Sequence, residues 1–325
     1  MIGDLTAGSV EKTRLATALE AVEETLRVTV ESDVTVLDEA SLHIIESGGK
    51  RVRPQIVILA YLAAGGEDVE DVIPLAAAVE LVHTATLVHD DINDHSLTRR
   101  GQITVHARWG RTFALLTGDY LFTRVYELMA PYGSPYNEIM AAATVELVEG
   151  ETLQAAAAKS GKMDRETYKK IIARKTASLF AAGARMAALL AGAEDEMVEA
   201  LEIYGYNLGL SFQIVDDILD IIGDPDKLGK PVGRDVVQGT GAILLQNGRR
   251  AQVDGDGAPA EVAEAELDPF QAMMQRLRES GAVDVARAEA VEVAARARQA
   301  LHHLPDSPAR QRLDRFIDQI LERER

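Results

Sequence analysis

Three aspartates, Asp90, Asp91 and Asp94, fall within five positions of the stretch HDDINDHSLTRRG, and Arg99 and Arg100 follow directly behind them. On a helix the i, i+1, i+4 spacing lets the three carboxylates share one side. Like charges so arranged destabilise a bare helix. The apolar lead AAAVELVHTATLVH also sets them at a helix C-terminal end, where the macrodipole disfavours anions. An arrangement unfavourable on both counts calls for a cation. The same pattern returns as Asp216, Asp217 and Asp220 in FQIVDDILD, again after an apolar helical lead, LEIYGYNLGLSFQIV. A solvated acidic face would account for one triplet, but not for two alike that each end an apolar helix. Carboxylates without His or Cys partners suit hard, oxygen-seeking ions, chiefly Mg²⁺. Magnesium keeps waters and shares phosphate oxygens with its substrate, so two such triplets predict a phosphorylated substrate held between them.

Basic residues complete that expectation. Lys50, Arg51 and Arg53 sit in GGKRVRP, Lys175 in ARKTASLF, and Lys227 and Lys230 in DKLGKPVG. Arginine offers a planar fork to phosphate oxygens and lysine a compact point charge. Taken singly each is an ordinary surface residue. Together they gather at segment junctions beside glycine, where backbone can approach a phosphate closely.

The elements that must position these groups read as helices. Ala, Leu, Glu, Arg and Val recur at three- and four-residue spacing from Val10 onward, and no alternating run supports a sheet. Breakers at 47–54, 64–71, 130–137, 159–164 and 223–235 divide the chain into ten or more helices of an all-α fold, expected as one domain over residues 1–325. Residues 246–270, rich in Gly, Asp, Ala and Pro, read as a mobile loop. A net charge of −18 argues against a nucleic-acid binder. The 47% hydrophobic content is globular, and no 20-residue uncharged apolar run predicts a transmembrane helix. The start lacks a basic region followed by an apolar core, so no secretory signal is expected. With no cysteine there is no disulfide, thiolate nucleophile or zinc–thiolate site, and a cytoplasmic protein is the simplest expectation.

GGKRVRP, HTATLVHDDINDHSLTRRG, GDYLF, KTASLF, FQIVDDILD and LGKPVGRD together resemble the trans-isoprenyl diphosphate synthases, the head-to-tail polyprenyl synthetases, from about residue 40 to residue 245. One DDxxD is weakly specific, since terpene cyclases carry one; two framed by the other blocks are strongly specific. The resemblance implies an isoprenoid synthase-type helical bundle around a deep central cavity, usually a homodimer, that condenses isopentenyl diphosphate with an allylic diphosphate and releases pyrophosphate. By similarity Asp90, Asp91, Asp94, Asp216, Asp217 and Asp220 would hold Mg²⁺, three ions with substrate bound. Arg99, Lys175 and Lys230 match contacts to the allylic diphosphate. Lys50, Arg53, His83 and Arg100 match the isopentenyl diphosphate pocket, and Thr176 and Gln213 line the carbocation region. Asp90, Asp91, Asp94, Arg99, Lys175, Gln213, Asp216 and Lys230 form the expected catalytic set. Contact with a membrane would be transient, during product release.

Product length should be set by bulk under the first triplet. One turn back from Asp90 lie Ala85 and Thr86, a further turn Leu81 and Val82, and Phe113 on the next segment is a candidate deeper floor. Short-chain members of the family usually carry an aromatic where this chain has Ala85, so a medium or long all-trans product is expected over a farnesyl or geranylgeranyl one. One departure stands out: after GRDVVQG the chain reads GTGAILLQ, with Thr240 where some members have a diphosphate-binding lysine. A terpene cyclase would normally replace the second DDxxD with an Asn/Ser/Glu pattern. A non-catalytic partner subunit of a heteromeric synthase would be expected to lose a triplet. Neither change is found here.

Overall fold

Strong helix formers dominate the sequence, and the described residues are helical almost throughout. The computed structural model describes residues 2–161, 163–222, 279 and 281–324. Its helices are α1 (Ile2–Thr29), α2 (Thr35–Glu46), α3 (Val52–Ala63), α4 (Ile73–Asn93), α5 (Val105–Trp109) and α6 (Arg111–Met129). Then follow α7 (Ser134–Ser160), α8 (Arg165–Ile172), α9 (Ser178–Leu190), α10 (Asp195–Ile222), α11 (Ala282–Ala300) and α12 (Pro308–Leu321). The breaker segments at 47–54, 64–71, 130–137 and 159–164 span junctions between consecutive helices, although 52–54 already belong to α3 and 134–137 and 159–160 to α7, while 223–235 and the expected loop 246–270 lie outside the described residues. Local chemistry sets several starts. Asp164 accepts from the Thr167 amide at 2.7 Å ahead of α8. Ser307 accepts from the Arg310 amide ahead of α12, whose first residue is proline. Both are side-chain caps for otherwise orphaned N–H groups.

Helices α3, α4 and α9 are apolar on nearly every face and form the centre, with α6, α7 and α10 packed around them. A helix apolar all round belongs in a core. Taken with the turn before it, α4 is long and apolar enough to cross a membrane, yet 78% of that span is buried inside the protein and Glu80 lies within it. It is the core helix that carries the first acid triplet at its end.

Two local features depart from uniform helix, and both sit at the expected site. Thr98–Arg99 pairs antiparallel with Gln102–Ile103, a two-residue ribbon where no strand was expected. Arg100 and Gly101 have φ of 52° and 78°, which is what a tight hairpin turn of the primed kind requires at both central positions. Each strand is too short to carry an alternating pattern, so the Arg-Gly pair was its one sequence signal. Between α8 and α9, Ala173–Ala177 forms a single π-helical turn, a widening that often marks functional positions. It contains Lys175 and Thr176.

Candidate functional site

Helix α4 ends as its acids begin. The Asp94 amide donates to the Asp90 carbonyl at 2.8 Å, so Asp90 and Asp94 stack one turn apart, Asp90 half-buried and Asp94 exposed. Asp91 does not share that side. It is 2% exposed, and the hairpin returns Arg99 to it: Nε lies 2.9 and 3.0 Å from the two carboxylate oxygens and Nη2 lies 2.8 Å from Oδ1. The expectation of three acids on one face therefore holds for two. Asp91 sits on the core side with Ile92, and a carboxylate buried there takes the nearest guanidinium. Burial still pushes its carboxyl above the usual range, although Arg99 pulls the other way.

The π turn reaches both acid motifs with consecutive side chains. Lys175 Nζ lies 3.3 Å from Asp90 Oδ2, 2.7 Å from Glu151 Oε1 and 3.2 Å from Gln154 Oε1. Burial works against its charge, but Asp90 and Glu151 outweigh it and hold the lysine pKa up. Glu151 on α7 is pushed up to about 7 by burial, with Lys175 opposing and Asp90 adding to the rise. The neighbouring Thr176 hydroxyl donates to Gln213 Oε1 at 2.9 Å, and Gln213 Nε2 donates to Asp217 Oδ1 at 2.9 Å. The buried Tyr168 hydroxyl donates to the other Asp217 oxygen at 2.5 Å. Helix α7 comes so close here that a Cβ on Gly150 would lie 2.7 Å from the Lys175 amide nitrogen, so the turn fits only against glycine. In the second triplet Asp217 and Asp220 are buried, while Asp216 is more open and lies 3.0 Å from Arg323 Nη1. Arg323 in turn stacks on the Phe212 ring, 4.9 Å from its centroid.

A separate group of cations lies where GGKRVRP meets the hairpin. The Arg100 guanidinium packs over Gly49, so close that a Cβ there would be 2.7 Å from its Nη1. Arg53 stacks over the Phe180 ring at 4.8 Å, and its buried Nε has no hydrogen-bond partner among the described residues. Burial brings Arg53 down to about 10, with Glu80 and Asp216 opposing and Arg100 adding to the fall. Lys50 is exposed at the lip of the turn. His83, on α4 ahead of Asp90, is held well below its ordinary value by burial and by Arg53, Arg100 and Arg99. It is therefore neutral beside them at neutral pH.

That shift carries a stability signature. Below its ordinary value of 6.5 His83 is protonated in the unfolded chain but not in the folded one. The unfolded state then binds more protons, and folding stability falls as pH drops through that window. In substrate-free protein, His83→Gln should lose less stability than the parent between about pH 7 and about pH 5.5, by up to about 1 kcal/mol. Urea midpoints at the two pH values measure it, and equal pH sensitivity in parent and variant would refute it.

Of the residues expected beneath the first triplet, Ala85 and Leu81 are fully buried and Thr86 is 8% exposed, its hydroxyl donating to the His83 carbonyl. Phe113 is 43% exposed near the start of α6 and faces outward, so within one chain it is no floor. A pocket of about 360 Å³ between α4, α6 and α7 is lined by Val82, Phe122, Met129, Met140 and Thr144 among others. Lys230 and Thr240 lie outside the described residues.

The donors present fit a hard divalent ion. They are oxygen-only, and among the described residues no three acids converge into a dedicated cage. The site also contains residues that motif reading passed over: Glu80, Glu151, Tyr168 and Arg323. Glu151 stands in VEGETLQ beside the glycine that the π turn needs, a local signal; Arg323 is distant in sequence and gives none.

Residues 34–255 match the family model described as polyprenyl synthetase. A heptaprenyl diphosphate synthase component 2 from Geobacillus stearothermophilus is 38% identical over 302 residues, covering 91% of this chain and 92% of that protein. A short chain isoprenyl diphosphate synthase from Methanothermobacter thermautotrophicus is 36% identical over 322 residues, covering 94% and 96%. Among solved structures, a polyprenyl synthase from Caulobacter crescentus complexed with calcium and isoprenyl diphosphate superposes with a TM-score of 0.87 at 34% identity, covering 95% of this chain and 96% of that one.

Proposed function

This chain belongs to the polyprenyl synthetase family and is a trans-prenyltransferase; on that premise we propose that it extends an allylic diphosphate with isopentenyl diphosphate to a medium- or long-chain all-trans product. One observation carries the reading. Two consecutive residues of the π turn, Lys175 and Thr176, join the first acid motif to the second, Lys175 through Asp90 and Thr176 through Gln213 and Asp217. A diphosphate held against one motif is thereby in reach of the other.

In the proposed reaction Asp90, Asp94, Asp216, Asp217 and Asp220 would hold the magnesium ions. Magnesium, when bound, neutralises charge that grows on the leaving diphosphate oxygens. Lys175 donates to the same group from a position already fixed by Asp90 and Glu151, so little reorganisation accompanies ionisation. The allylic C–O bond breaks, and the Thr176–Gln213 pair presents polar oxygens beside the cation. Lys50, Arg53 and Arg100, with neutral His83, hold the second diphosphate so that the isopentenyl double bond forms the new C–C bond. The released pyrophosphate takes the proton lost from the adduct. The exposed apolar side chains Phe113, Leu116 and Tyr126 on α6, and Val145 and Val148 on α7, supply the surface through which we propose the chain pairs as a homodimer.

The test incubates purified protein with Mg²⁺, isopentenyl diphosphate and each allylic donor, then chromatographs the dephosphorylated products. A ladder ending above the C20 alcohol is expected (roughly four five-carbon units), lost on chelation and restored by magnesium. No product from any donor would overturn the reading.

A further inference from the structure

Arg51 stands between Lys50 and Arg53 in GGKRVRP, yet its side chain turns inward. It is 7% exposed, and its guanidinium is held on three sides. Nε and Nη2 donate to the two oxygens of Glu23 at 2.5 and 2.9 Å, Nη1 donates to Glu80 at 3.1 Å, and Nη2 also donates to the Ile45 carbonyl at 2.8 Å. Glu23 belongs to α1, Ile45 to α2 and Glu80 to α4, so one side chain pins the turn to three helices. The backbone of Arg51 is left-handed, φ 45° and ψ 44°, a conformation that a side chain with this many fixed contacts can hold against its strain.

Glu80 is 3% exposed and lies one turn before His83 on the same helix. Burial raises its carboxyl, with Arg51, then Arg53, then Arg100 opposing that rise. It is thus the interior counter-charge beneath the cation group. Arg53 follows two residues after Arg51 in the first turn of α3, so its direction depends on how the turn is held. Arg100 packs over Gly49 of the same turn.

We propose that Glu80 and Arg51 are positioning residues for the isopentenyl diphosphate pocket: their buried pair, completed by Glu23, fixes the turn that delivers Lys50 and Arg53 and seats Arg100. Neither residue touches substrate. The inference rests on the reading that Lys50, Arg53, His83 and Arg100 hold that diphosphate.

Glu80→Gln keeps the shape and an acceptor but removes the charge. It should raise KM for isopentenyl diphosphate by about tenfold or more while leaving KM for the allylic diphosphate within about twofold, a split that general loss of structure does not produce. Glu80→Asp should recover part of the loss. Glu23→Gln, at the more accessible end of the network, should give a smaller rise of the same kind and decides the matter alone if Glu80→Gln does not fold. Unchanged KM for isopentenyl diphosphate, or both KM values rising together while kcat and the melting temperature fall, would overturn the inference. Arg53→Gln separates the two ideas. If it leaves KM for isopentenyl diphosphate unchanged, the pocket is misassigned; if it raises KM while both glutamate variants do not, the positioning role alone is lost.

Discussion

Asp90→Asn, assayed at saturating magnesium and both substrates, is expected to lower kcat by about 10²–10³-fold in a protein that still folds. The size follows from charge. A unit pair about 4 Å apart at an effective dielectric near 20 is worth about 4 kcal/mol before desolvation, which is about three decades of rate. Desolvation trims that figure. Stability should change little, because Asp90 sits at the end of α4 against the macrodipole and one turn from Asp94, and Lys175 keeps Glu151 at 2.7 Å when Asp90 is neutralised. Asp91→Asn should behave in the opposite sense. It breaks a buried pair with Arg99 and is expected to lose about 3 kcal/mol of stability, the low end for such a break because Arg99 is 27% exposed. Steady-state kinetics and urea unfolding on both variants measure the contrast. A loss under about tenfold in kcat for Asp90→Asn would remove it from the set of essential ligands.

That contrast marks where sequence reading stops. Spacing alone identified two acid triplets, because i, i+1, i+4 after an apolar lead is a local pattern. It could not tell Asp91 from its neighbours: which side of α4 faces the core is decided by the packing of α3, α6 and α9, and the partner Arg99 arrives through a hairpin with two-residue strands. Lys175 and Thr176 were legible as residues, but not the π turn that lets adjacent side chains serve opposite motifs, since that widening depends on α7 approaching at Gly150. Glu80 looked like one polar residue in an apolar helix. Its role emerges only when α1, α2 and the glycine turn meet around Arg51. Arg323 reaches Asp216 across more than a hundred residues of chain, and no local pattern encodes such a contact. Phe113 was the reverse case, an aromatic at a plausible spacing that the orientation of α6 turns outward.

The same limit shapes the expectation for product length. Val82→Phe should shorten the longest product. Val82 lines the pocket between α4, α6 and α7, and it lies eight residues before Asp90, about 12 Å along a helix rising about 1.5 Å per residue. Val82 is itself only 1% exposed, so a phenyl ring there projects toward the pocket and also presses on core neighbours. Ala85, five residues before Asp90, is fully buried among packed neighbours. Ala85→Phe should also shorten the product, and more severely, because the obstruction stands closer to the acids. It must force its ring into filled space, at an expected cost of about 1–3 kcal/mol of stability. The two variants therefore place the obstruction at two depths: both should shorten the product, and both should lower the melting temperature, Ala85→Phe the more because it adds the greater volume. Chromatography of dephosphorylated products alongside thermal melts reads both quantities. If Ala85→Phe shortens the product and Val82→Phe does not, the tail leaves α4 before reaching this pocket. If neither alters the distribution, chain length is set on another face, and α4 serves the acids alone.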